Sequence, residues 1–427
     1  MKGLRIAMLG TRGLPATYGG VEHHVDQIGS RLVERGHEVT VYSQSGYAGE
    51  PVTEHHGMRV RTLPSVPVRG LEAISHAAMS TLDGLFRRHD VAHYHAVGPG
   101  LAAPLARFAS RAAIVQTIHG LDAERTKWGR GARSVLNLAT WMSARVPDRT
   151  ITVSRTLAEH YAEQYARACT YVPNGLTPRT RRTADLITER YGLRGGDYVL
   201  FVGRLVPEKR PDLLLKAWRR LDTDLRLVVV GGSSHTDDYV AELSRLAADD
   251  PRVLLTGYCY GAELDELFTN AVAFVQPSEL EGLPLTLLEA MGCGLPVVAS
   301  DIAPHLEVVG ADRPGARLFA EGEVDSLAAA LGRALTAPHQ ERRAAESARR
   351  ATHAAYDWDS AVDEIEAVYA ASLQARARRR RFRRSAHKST PTTSQRGSAG
   401  RLVEVPASGR RDDATGSLAS QERTDTA

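Results

Sequence analysis

The first half of the chain alternates short apolar runs with longer segments of helical periodicity, such as residues 21–35. The apolar runs lie at residues 4–9, 38–42, 90–95 and 114–118. Continuous Val, Ile and Leu runs separated by helices are typical of a parallel sheet covered on both faces. The pattern therefore predicts a doubly wound α/β domain over residues 1–176.

A second series of the same kind follows a polar stretch rich in Arg and Thr. Its apolar runs lie at residues 198–202, 225–230, 253–256, 273–275 and 297–299. They predict a second Rossmann-like domain with a parallel sheet over residues 177–356. Two such domains leave a cleft between them, and ligands of open α/β sheets bind beyond the carboxyl ends of the strands. The length of 427 residues also favours two domains over one.

The C-terminal part of the chain changes character twice. Residues 357–373 have the amphipathic pattern of a helix, with apolar Val362, Ile365 and Val368 on one face. Residues 374–427 are first rich in Arg and then in Ser, Thr and Gly, with few large apolar side chains. Such a composition cannot bury enough surface to offset the entropy of ordering, so the pattern predicts a disordered basic tail.

The positive charge of the chain is concentrated in that tail. The formal net charge is +4, but residues 371–427 carry 13 basic and 5 acidic residues, against 41 and 45 in residues 1–370. A nucleic-acid partner is not expected, because one Phe in the Arg-rich run gives no stacking platform. An anionic membrane surface is the more economical partner for these Arg residues, and a simply solvated tail is the alternative.

Three cysteines and the N-terminal residues bear on the cellular compartment. Cys169, Cys259 and Cys293 are widely spaced, which predicts neither a disulfide framework nor a zinc site. The first residues lead into a strand without the apolar segment of a secretory signal, and no apolar run approaches the ~20 residues that span a bilayer. We therefore expect a cytoplasmic protein whose membrane contact, where it exists, is peripheral on the inner face.

The most informative motif contains two carboxylates, Glu281 and Glu289, on either side of a predicted helix start at Pro284. Proline is favoured at the first position of a helix, and residues 285–291 are good helix formers. Unpaired N–H groups at a helix start attract anions, and nearby carboxylates accept hydrogen bonds from hydroxyl groups. The motif therefore fits a ligand with both phosphates and sugar rings, such as a nucleotide sugar.

The segment 278–297 that contains this motif resembles the signature of the family 4 glycosyltransferases. The resemblance implies the GT-B fold and a retaining glycosyltransferase. It also implies that Glu281 contacts the transferred sugar and that Glu289 holds the ribose hydroxyls of the nucleotide. Gly282 and Leu283, which follow Glu281 directly, belong to the same implied donor site.

A second motif places cations after the strand predicted at 198–202. Arg204 and Lys209 follow it within a loop. The planar guanidinium of an Arg and the flexible ammonium of a Lys can together bind the oxygens of a diphosphate. The alternative is that both are solvated loop cations. The family resemblance favours the first interpretation, because it implies that these residues neutralise the donor diphosphate.

A Gly-rich loop at residues 10–22 follows the first predicted strand. It lacks the spacing of a dinucleotide-binding motif, and no acidic residue ends the second strand, so an NAD site is not expected. The loop resembles that of family 4 enzymes of bacterial surface-polysaccharide synthesis, including rhamnosyltransferases. The resemblance implies that Gly19 and Gly20 allow the backbone to approach the donor phosphates and acceptor.

Further residues enter the expected site through the resemblance. His119 ends the strand predicted at 114–118 and is implied to position the donor sugar, although a lone His at a strand end is more often structural. Gly257 and Tyr258 lie where the family contacts the nucleobase. His93 and His95 are interpreted as packing or acceptor-side residues, and His23 and His24 as structural.

No metal or other cofactor is expected. The two Asp-x-Asp segments, at 222–224 and 357–359, lie before a strand and at a helix start, where they are typical of turns and caps. Fixed cations can then stabilise the departing diphosphate in place of a metal. Retention without a nucleophile, as the resemblance implies, proceeds by front-face displacement, with the departing phosphate taking the acceptor proton.

The sequence therefore predicts a metal-independent hexosyl- or deoxyhexosyltransferase that acts on a glycan or lipid-linked acceptor. The alternatives are a nucleotide-sugar epimerase or phosphorylase of the same architecture and a glycan-binding protein whose transferase site has decayed. A phosphorylase would carry pyridoxal phosphate on a Lys, and the surroundings of Lys127, Lys209 and Lys216 do not match that context. The catalytic set is Glu281, His119, Arg204 and Lys209.

Overall fold

The computed structural model describes residues 3–388 apart from 17–18, 48–49, 51, 69–70, 122–129, 234–235 and 311–312. Lys127 and the tail from residue 389 therefore lie outside the described residues. The described strands form two sheets, one of eight strands and one of six. All neighbouring strands are parallel except the short β3, which is antiparallel to β4. This confirms the fold class predicted from the apolar pattern.

The first sheet has the spatial order β3-β4-β2-β1-β5-β6-β7-β8. Its strands are β1 (Arg5–Leu9), β2 (Glu38–Gln44), β3 (Glu54–His55), β4 (Met58–Leu63), β5 (Val91–His95), β6 (Ala113–Ile118), β7 (Arg149–Thr152) and β8 (Thr170–Tyr171). The helices described between them are α1 (Gly20–Glu34), α2 (Glu72–Leu85), α3 (Ala103–Ala109), α4 (Arg130–Arg145) and α5 (Arg155–Tyr165). The central strands are buried throughout, as expected for a sheet covered on both faces.

The second sheet has the order β11-β10-β9-β12-β13-β14. Its strands are β9 (Tyr198–Val202), β10 (Arg226–Val230), β11 (Val253–Gly257), β12 (Ala273–Gln276), β13 (Val297–Ser300) and β14 (Ala316–Phe319). Its helices are α6 (Leu186–Tyr191), α7 (Pro211–Trp218), α8 (Asp237–Ala248), α9 (Gly261–Asn270), α10 (Leu285–Gly292), α11 (Ala303–Val309), α12 (Val324–Thr336) and α13 (Pro338–Ala355).

The last helix, α14 (Trp358–Lys388), returns to the first sheet. Its apolar residues Trp358, Val362, Ile365 and Tyr369 are buried in one cluster with side chains of the first sheet and α1. The helix extends to Lys388, beyond residue 373, where the sequence pattern predicts its end. Arg and Ala make up most of residues 375–384 and are good helix formers, even though they cannot form a core.

The chain passes between the two sheets at two places that contact one another. The backbone N–H of Leu176 donates a hydrogen bond to the Tyr356 carbonyl over 2.8 Å. The Trp358 indole N–H donates to Thr177 Oγ1 over 3.1 Å. Its ring lies against Gly175, where an added Cβ would be only 2.4 Å from it, so a side chain there would disturb the packing.

Two sequence expectations about cysteines and membranes can be compared with the described part of the chain. Cys169, Cys259 and Cys293 are all free thiols. Within the described ranges, helices lack the combination of length and apolar character that crossing a bilayer requires.

Candidate active site

The two sheets approach each other through loops at the carboxyl ends of their strands. Gly282, in the loop after β12, lies against the backbone of His119, which follows β6. A Cβ added to Gly282 would lie 1.9 Å from the His119 carbonyl oxygen. Nearby, the start of α1 faces the start of α10, since a Cβ on Gly20 would lie 3.2 Å from Leu285 Cδ1. The loops predicted to bind a donor from the two domains are therefore in direct contact.

Glu281 is held at this junction by a set of polar side chains. Its Oε1 accepts hydrogen bonds from the Gln276 amide over 2.6 Å and the Ser278 hydroxyl over 2.8 Å, and it forms an ion pair with Lys209. Thr286 at the start of α10 donates to Gln276 Oε1 over 3.1 Å, which fixes the orientation of the amide. The carboxylate thus joins the loop after β12 to the loop after β9.

The charge of Glu281 is maintained although its side chain is only 7 % exposed. Burial alone would raise its pKa, but the charge of Lys209 and the hydrogen bonds outweigh burial, and the pKa is lowered from its ordinary value. His305 on α11 lies nearby, and burial lowers its own pKa to about 4. Glu281 is therefore an ionised acceptor at neutral pH.

Lys209 lies in a single 3-10 turn, Pro207–Lys209, that follows β9. The next residue, Arg210, is not available as a third site cation, because it forms ion pairs with Asp212 and Glu279. The backbone N–H of Glu279 also donates to the Glu208 carbonyl over 2.9 Å. These contacts hold the turn that carries Lys209 against the loop that carries Glu281.

Glu289 lies in the second turn of α10 and has a partner that the sequence did not indicate. Arg179 donates to Glu289 Oε2 over 2.9 Å and to Asp265 over 3.0 Å, and its guanidinium carbon lies 4.4 Å from the centre of the Phe268 ring. Arg179 belongs to the polar stretch that precedes the apolar runs of the second domain, and the sequence pattern assigns no role to it. Arg179 is far from Glu289 along the chain, so no local motif connects the two residues. The sequence therefore does not predict this pair.

Arg204 follows β9 at the carboxyl edge of the second sheet, on the same side as the loops that follow β10 and β11. Gly231 is in close contact with this loop, since its added Cβ would lie 1.8 Å from the Gly203 carbonyl oxygen. The backbone N–H of Gly231 donates to the Gly257 carbonyl over 2.8 Å. Tyr258 donates through its hydroxyl to the Ser233 carbonyl over 2.9 Å. The structure therefore places Arg204, Gly257 and Tyr258 along one edge.

The Gly19–Gly20 segment is shaped by Glu22. The Glu22 carboxylate accepts a hydrogen bond from the Arg12 backbone N–H over 2.9 Å. Gly19 has φ of 106°, a backbone conformation that favours glycine, and its added Cβ would be 2.1 Å from Glu22 Oε2. A side chain at Gly19 would therefore strain the backbone and displace the Glu22 carboxylate.

His119 belongs to a group of histidines at the carboxyl edge of the first sheet. His119 Nε2 lies 3.4 Å from His95 Nδ1, and its ring centre lies 4.7 Å from that of His24. Burial lowers the pKa of His24 to about 4 and the pKa values of His95 and His119 well below their ordinary value. All three rings are therefore neutral at neutral pH.

His93, His23 and Asp357 are paired with nearby side chains or backbone groups of the fold. His93 is buried, with its ring nitrogens 2.7 Å from the hydroxyls of Tyr369 and Thr117. His23 Nε2 lies 3.3 Å from Thr177 Oγ1. Asp357 accepts from the Ser360 backbone N–H over 2.8 Å and so caps α14, as a capping residue should. The Leu283 side chain is buried in the core of the second domain, which leaves its backbone for a ligand.

A cavity of about 690 Å³ lies away from these residues, along one face of β1 and β5, where Ala7, Leu9, Ala92 and Tyr94 line it. The ion pair between Arg5 and Asp90, with an Nη2–Oδ1 distance of 3.0 Å, also lines it. None of the predicted site residues contributes to it, and ligands of open parallel sheets bind beyond the carboxyl ends of the strands, not along a face. The cleft remains the candidate active site.

The fold and the polar residues at the cleft define a glycosyltransferase of the GT-B class. Comparison with known families agrees: residues 18–180 match the family described as Glycosyltransferase Family 4, and residues 187–351 match Glycosyl transferases group 1. The chain belongs to the family 4 glycosyltransferases.

Two curated relatives match over nearly their whole length. A GDP-mannose-dependent alpha-(1-6)-phosphatidylinositol monomannoside mannosyltransferase of Mycolicibacterium smegmatis is 30% identical over 378 residues, covering 82% of this chain and 94% of the relative. A GDP-mannose-dependent alpha-mannosyltransferase of the same organism is 29% identical, and the match covers 88% of this chain and 100% of the relative.

Solved structures share the fold. Sucrose-phosphate synthase from Thermosynechococcus elongatus has a TM-score of 0.75 at 21% identity and covers 87% of this chain and 100% of its own. Anabaena Alr3699/HepE in complex with UDP-glucose has a TM-score of 0.73 at 19% identity, and the match covers 86% of this chain and 99% of the Anabaena chain. At these identities the likeness supports the fold alone.

The contact between Gly282 and His119 leads to a first prediction. Gly282→Ala should lower the glycosyl-transfer rate at least tenfold, because the added Cβ forces the two loops apart, and a displacement of about 1 Å can reduce a rate by about 100-fold. Gly131→Ala, on an exposed part of α4 with open space around it, is the control and should keep the wild-type rate. Both variants should unfold near the wild-type temperature. A wild-type rate for Gly282→Ala would contradict the predicted role of this contact.

Proposed function

We propose that the protein is a retaining, metal-independent glycosyltransferase that moves a sugar from a nucleotide diphosphate donor to a glycan or lipid-linked acceptor. The observation that carries the proposal is the ionised Glu281, paired with Lys209 where the starts of α1 and α10 face each other. Unpaired N–H groups at helix starts favour the anionic diphosphate, and the carboxylate accepts hydrogen bonds from sugar hydroxyls.

The chemistry follows from where charge develops. Cleavage of the bond between the sugar and the diphosphate leaves negative charge on phosphate oxygens, which Lys209 and Arg204 stabilise. Glu281 orients the sugar and favours the positive charge that develops on its ring. The departing phosphate takes the proton of the acceptor hydroxyl as the new glycosidic bond forms on the same face. His119, neutral and partly exposed, positions the donor sugar from the first domain.

Glu289 is proposed to hold the ribose hydroxyls of the donor. Arg179 serves as a positioning residue for it: the Arg179 guanidinium bonds to both Glu289 and Asp265 and so fixes the carboxylate. Gly257 and Tyr258, at the edge of β11, are proposed to contact the nucleobase. Gly19, Gly20, Gly282 and Leu283 contribute backbone groups to the donor pocket.

The relatives suggest which donors to test. Two relatives are named as GDP-mannose-dependent mannosyltransferases, and solved neighbours have been described with UDP-glucose and with ADP. One of these names includes a phosphatidylinositol mannoside, which supports a lipid-linked acceptor here. The Gly-rich loop supports a role in cell-surface polysaccharide synthesis and a rhamnose or other deoxyhexose donor.

The second prediction concerns donor binding and turnover. A thermal-shift screen should include the GDP, UDP, ADP and dTDP sugars, because a ligand at 100 times its Kd adds about 2.7 kcal/mol of stability. With the donor found, Glu281→Gln should lower kcat at least 100-fold with little change in KM, since its interaction strengthens in the transition state.

Glu279→Gln is the matched control, because Glu279 is two residues away and exposed, and the variant keeps the backbone hydrogen bond to Glu208 and a side chain that can still accept from Arg210. It should keep nearly the wild-type kcat. Donor binding without transfer or hydrolysis in the wild-type chain would instead support a decayed, glycan-binding protein. Conversion of the donor to an epimer, or dependence on free phosphate, would support the epimerase or phosphorylase alternative.

The third prediction is that chelation leaves transfer intact. Lys209 and Arg204 are expected to supply the positive charge that Mg²⁺ supplies in metal-dependent transferases. The initial rate should therefore be the same in excess EDTA as in Mg²⁺, within a factor of two. The proposal of metal independence fails when EDTA abolishes the rate and only Mg²⁺ or Mn²⁺ restores it.

The fourth prediction concerns location. We propose that the chain acts in the cytoplasm and that its basic C-terminal segment binds the anionic inner face of the membrane, each basic residue near the surface contributing about 1 kcal/mol. Replacing residues 378–381, four consecutive Arg, with Gln should weaken co-sedimentation with phosphatidylglycerol vesicles at least tenfold. Neutral phosphatidylcholine vesicles are the control. Equal binding of both proteins to anionic vesicles would support a merely solvated tail.

A further inference from the structure

Three imidazoles converge at the carboxyl edge of the first sheet. His24 comes from the second turn of α1, His95 ends β5, and His119 follows β6. Because β1, β5 and β6 are neighbours and α1 follows β1, the topology brings these distant residues together. One ring nitrogen from each residue lies within 4.8 Å of those of the other two.

The spacing of the rings resembles that of ligands around one ion. Zinc–nitrogen bonds of about 2.0–2.1 Å in a tetrahedral arrangement place ligand nitrogens about 3.3 Å apart. His95 Nδ1 and His119 Nε2 lie 3.4 Å apart. The ring centres of His24 are 4.7 Å from His119 and 5.4 Å from His95, and those of His95 and His119 are 5.7 Å apart.

Hydrogen bonding fixes His24 in a form suited to metal binding. Its Nδ1 lies 2.7 Å from the side-chain oxygen of Asn174, which can only accept, so Nδ1 carries the hydrogen and Nε2 keeps a lone pair. A bond from the second ring nitrogen to an oxygen is the arrangement that orients metal-binding histidines in proteins. Asn174 is itself buried, which holds the ring in place.

One buried nitrogen that faces the group lacks a partner among the described residues. It is Nε2 of His24, whose residue is 2 % exposed. Buried polar atoms in native proteins are normally paired, so an unpaired nitrogen calls for a ligand. His93 lies on the same strand as His95, and both of its ring nitrogens have partners. It shows how the nitrogens of a buried histidine are paired when no further ligand is needed.

We propose that His24, His95 and His119 bind one divalent transition-metal ion, with Zn²⁺ as the ion that suits three neutral imidazoles. Borderline metals such as Zn²⁺ favour imidazole, whereas Mg²⁺ favours oxygen ligands, so Mg²⁺ is not bound here. His119 is the partly exposed member and leaves the fourth position of the ion towards the cleft. The site is separate from Arg204 and Lys209, and it does not replace them in binding the diphosphate.

A functional consequence rests on the proposed function. A metal bound to His119 removes its nitrogen from the donor sugar, so Zn²⁺ should inhibit transfer, and donor and Zn²⁺ should weaken each other's binding. EDTA should then restore the full rate and not abolish it. The ion is in this way an inhibitor of the enzyme and not a cofactor.

The test measures metal uptake without any substrate. The background protein is the full chain with His55→Gln and His56→Gln, because Asp26, His55 and His56 form a second, more exposed group that could bind zinc. After EDTA treatment and gel filtration, it is titrated with Zn²⁺ against a chromophoric chelator. We expect one Zn²⁺ per chain, and with Co²⁺ a visible absorption band typical of four-coordinate nitrogen ligation.

Variants in this background locate the ion. His24→Gln should weaken Zn²⁺ binding at least 100-fold, and Asn174→Ala about 10- to 100-fold, as expected for the partner of a ligand. His23→Gln, next to His24 but outside the group, should bind Zn²⁺ like the background. His119→Gln, at a partly exposed position, gives the same test should the buried variants fail to fold by circular dichroism.

Absence of Zn²⁺ uptake by the background protein would overturn the proposal, and so would unchanged affinity in the folded His24→Gln and His119→Gln proteins. Those outcomes leave the transferase proposal intact. Conversely, zinc uptake that depends on His24 in a chain without transfer activity would support the metal site and count against the proposed function. The two proposals can therefore fail separately.

Discussion

The candidate site depends on the ionised Glu281 carboxylate, which is buried and still compensated. A buried charge is stable only with a partner and hydrogen bonds, and removing one partner of such a pair costs about 3–5 kcal/mol. Here Lys209, Gln276 and Ser278 supply that compensation from two loops of the second domain. The same contacts fix the carboxylate where the first domain meets the second. The contacts that stabilise the two loops therefore also keep the Glu281 carboxylate ionised and fixed in position.

The close approach of the two domains depends on positions without side chains. Gly282 lies against the His119 carbonyl, and Gly20 lies against Leu285, so both helix starts reach the same volume. A diphosphate in that volume would be met by backbone N–H groups from α1 and α10 and by the cations after β9. Trp358 contacts Gly175 and Thr177, and these contacts join the two segments in which the chain passes from one domain to the other.

The histidines on the opposite side of the cleft add a different kind of constraint. Burial keeps His24, His95 and His119 neutral, and neutral imidazoles are both hydrogen-bonding groups for a sugar and ligands for a metal. His119 takes part in both of the proposed functions. A transition metal and a donor sugar would therefore compete for the same nitrogen, which couples metal availability to transfer without any change in the diphosphate site.

The sequence by itself determined the two parallel sheets, because buried strands appear as continuous apolar runs whatever packs on them. It also pointed to Arg204, Lys209, Glu281 and Glu289 as candidate site residues, since their motifs are local. It did not reveal β4, β7 or β14, whose mixed polarity carries little periodic signal, or the helical course of residues 374–388. Only the tertiary structure decided that Arg179 pairs with Glu289, that Arg210 is already paired, and that His24, scored as structural, lies beside His119. Such pairs are separated by tens to hundreds of residues, and chain spacing cannot show which side chains meet when strands cross over to neighbouring positions in a sheet.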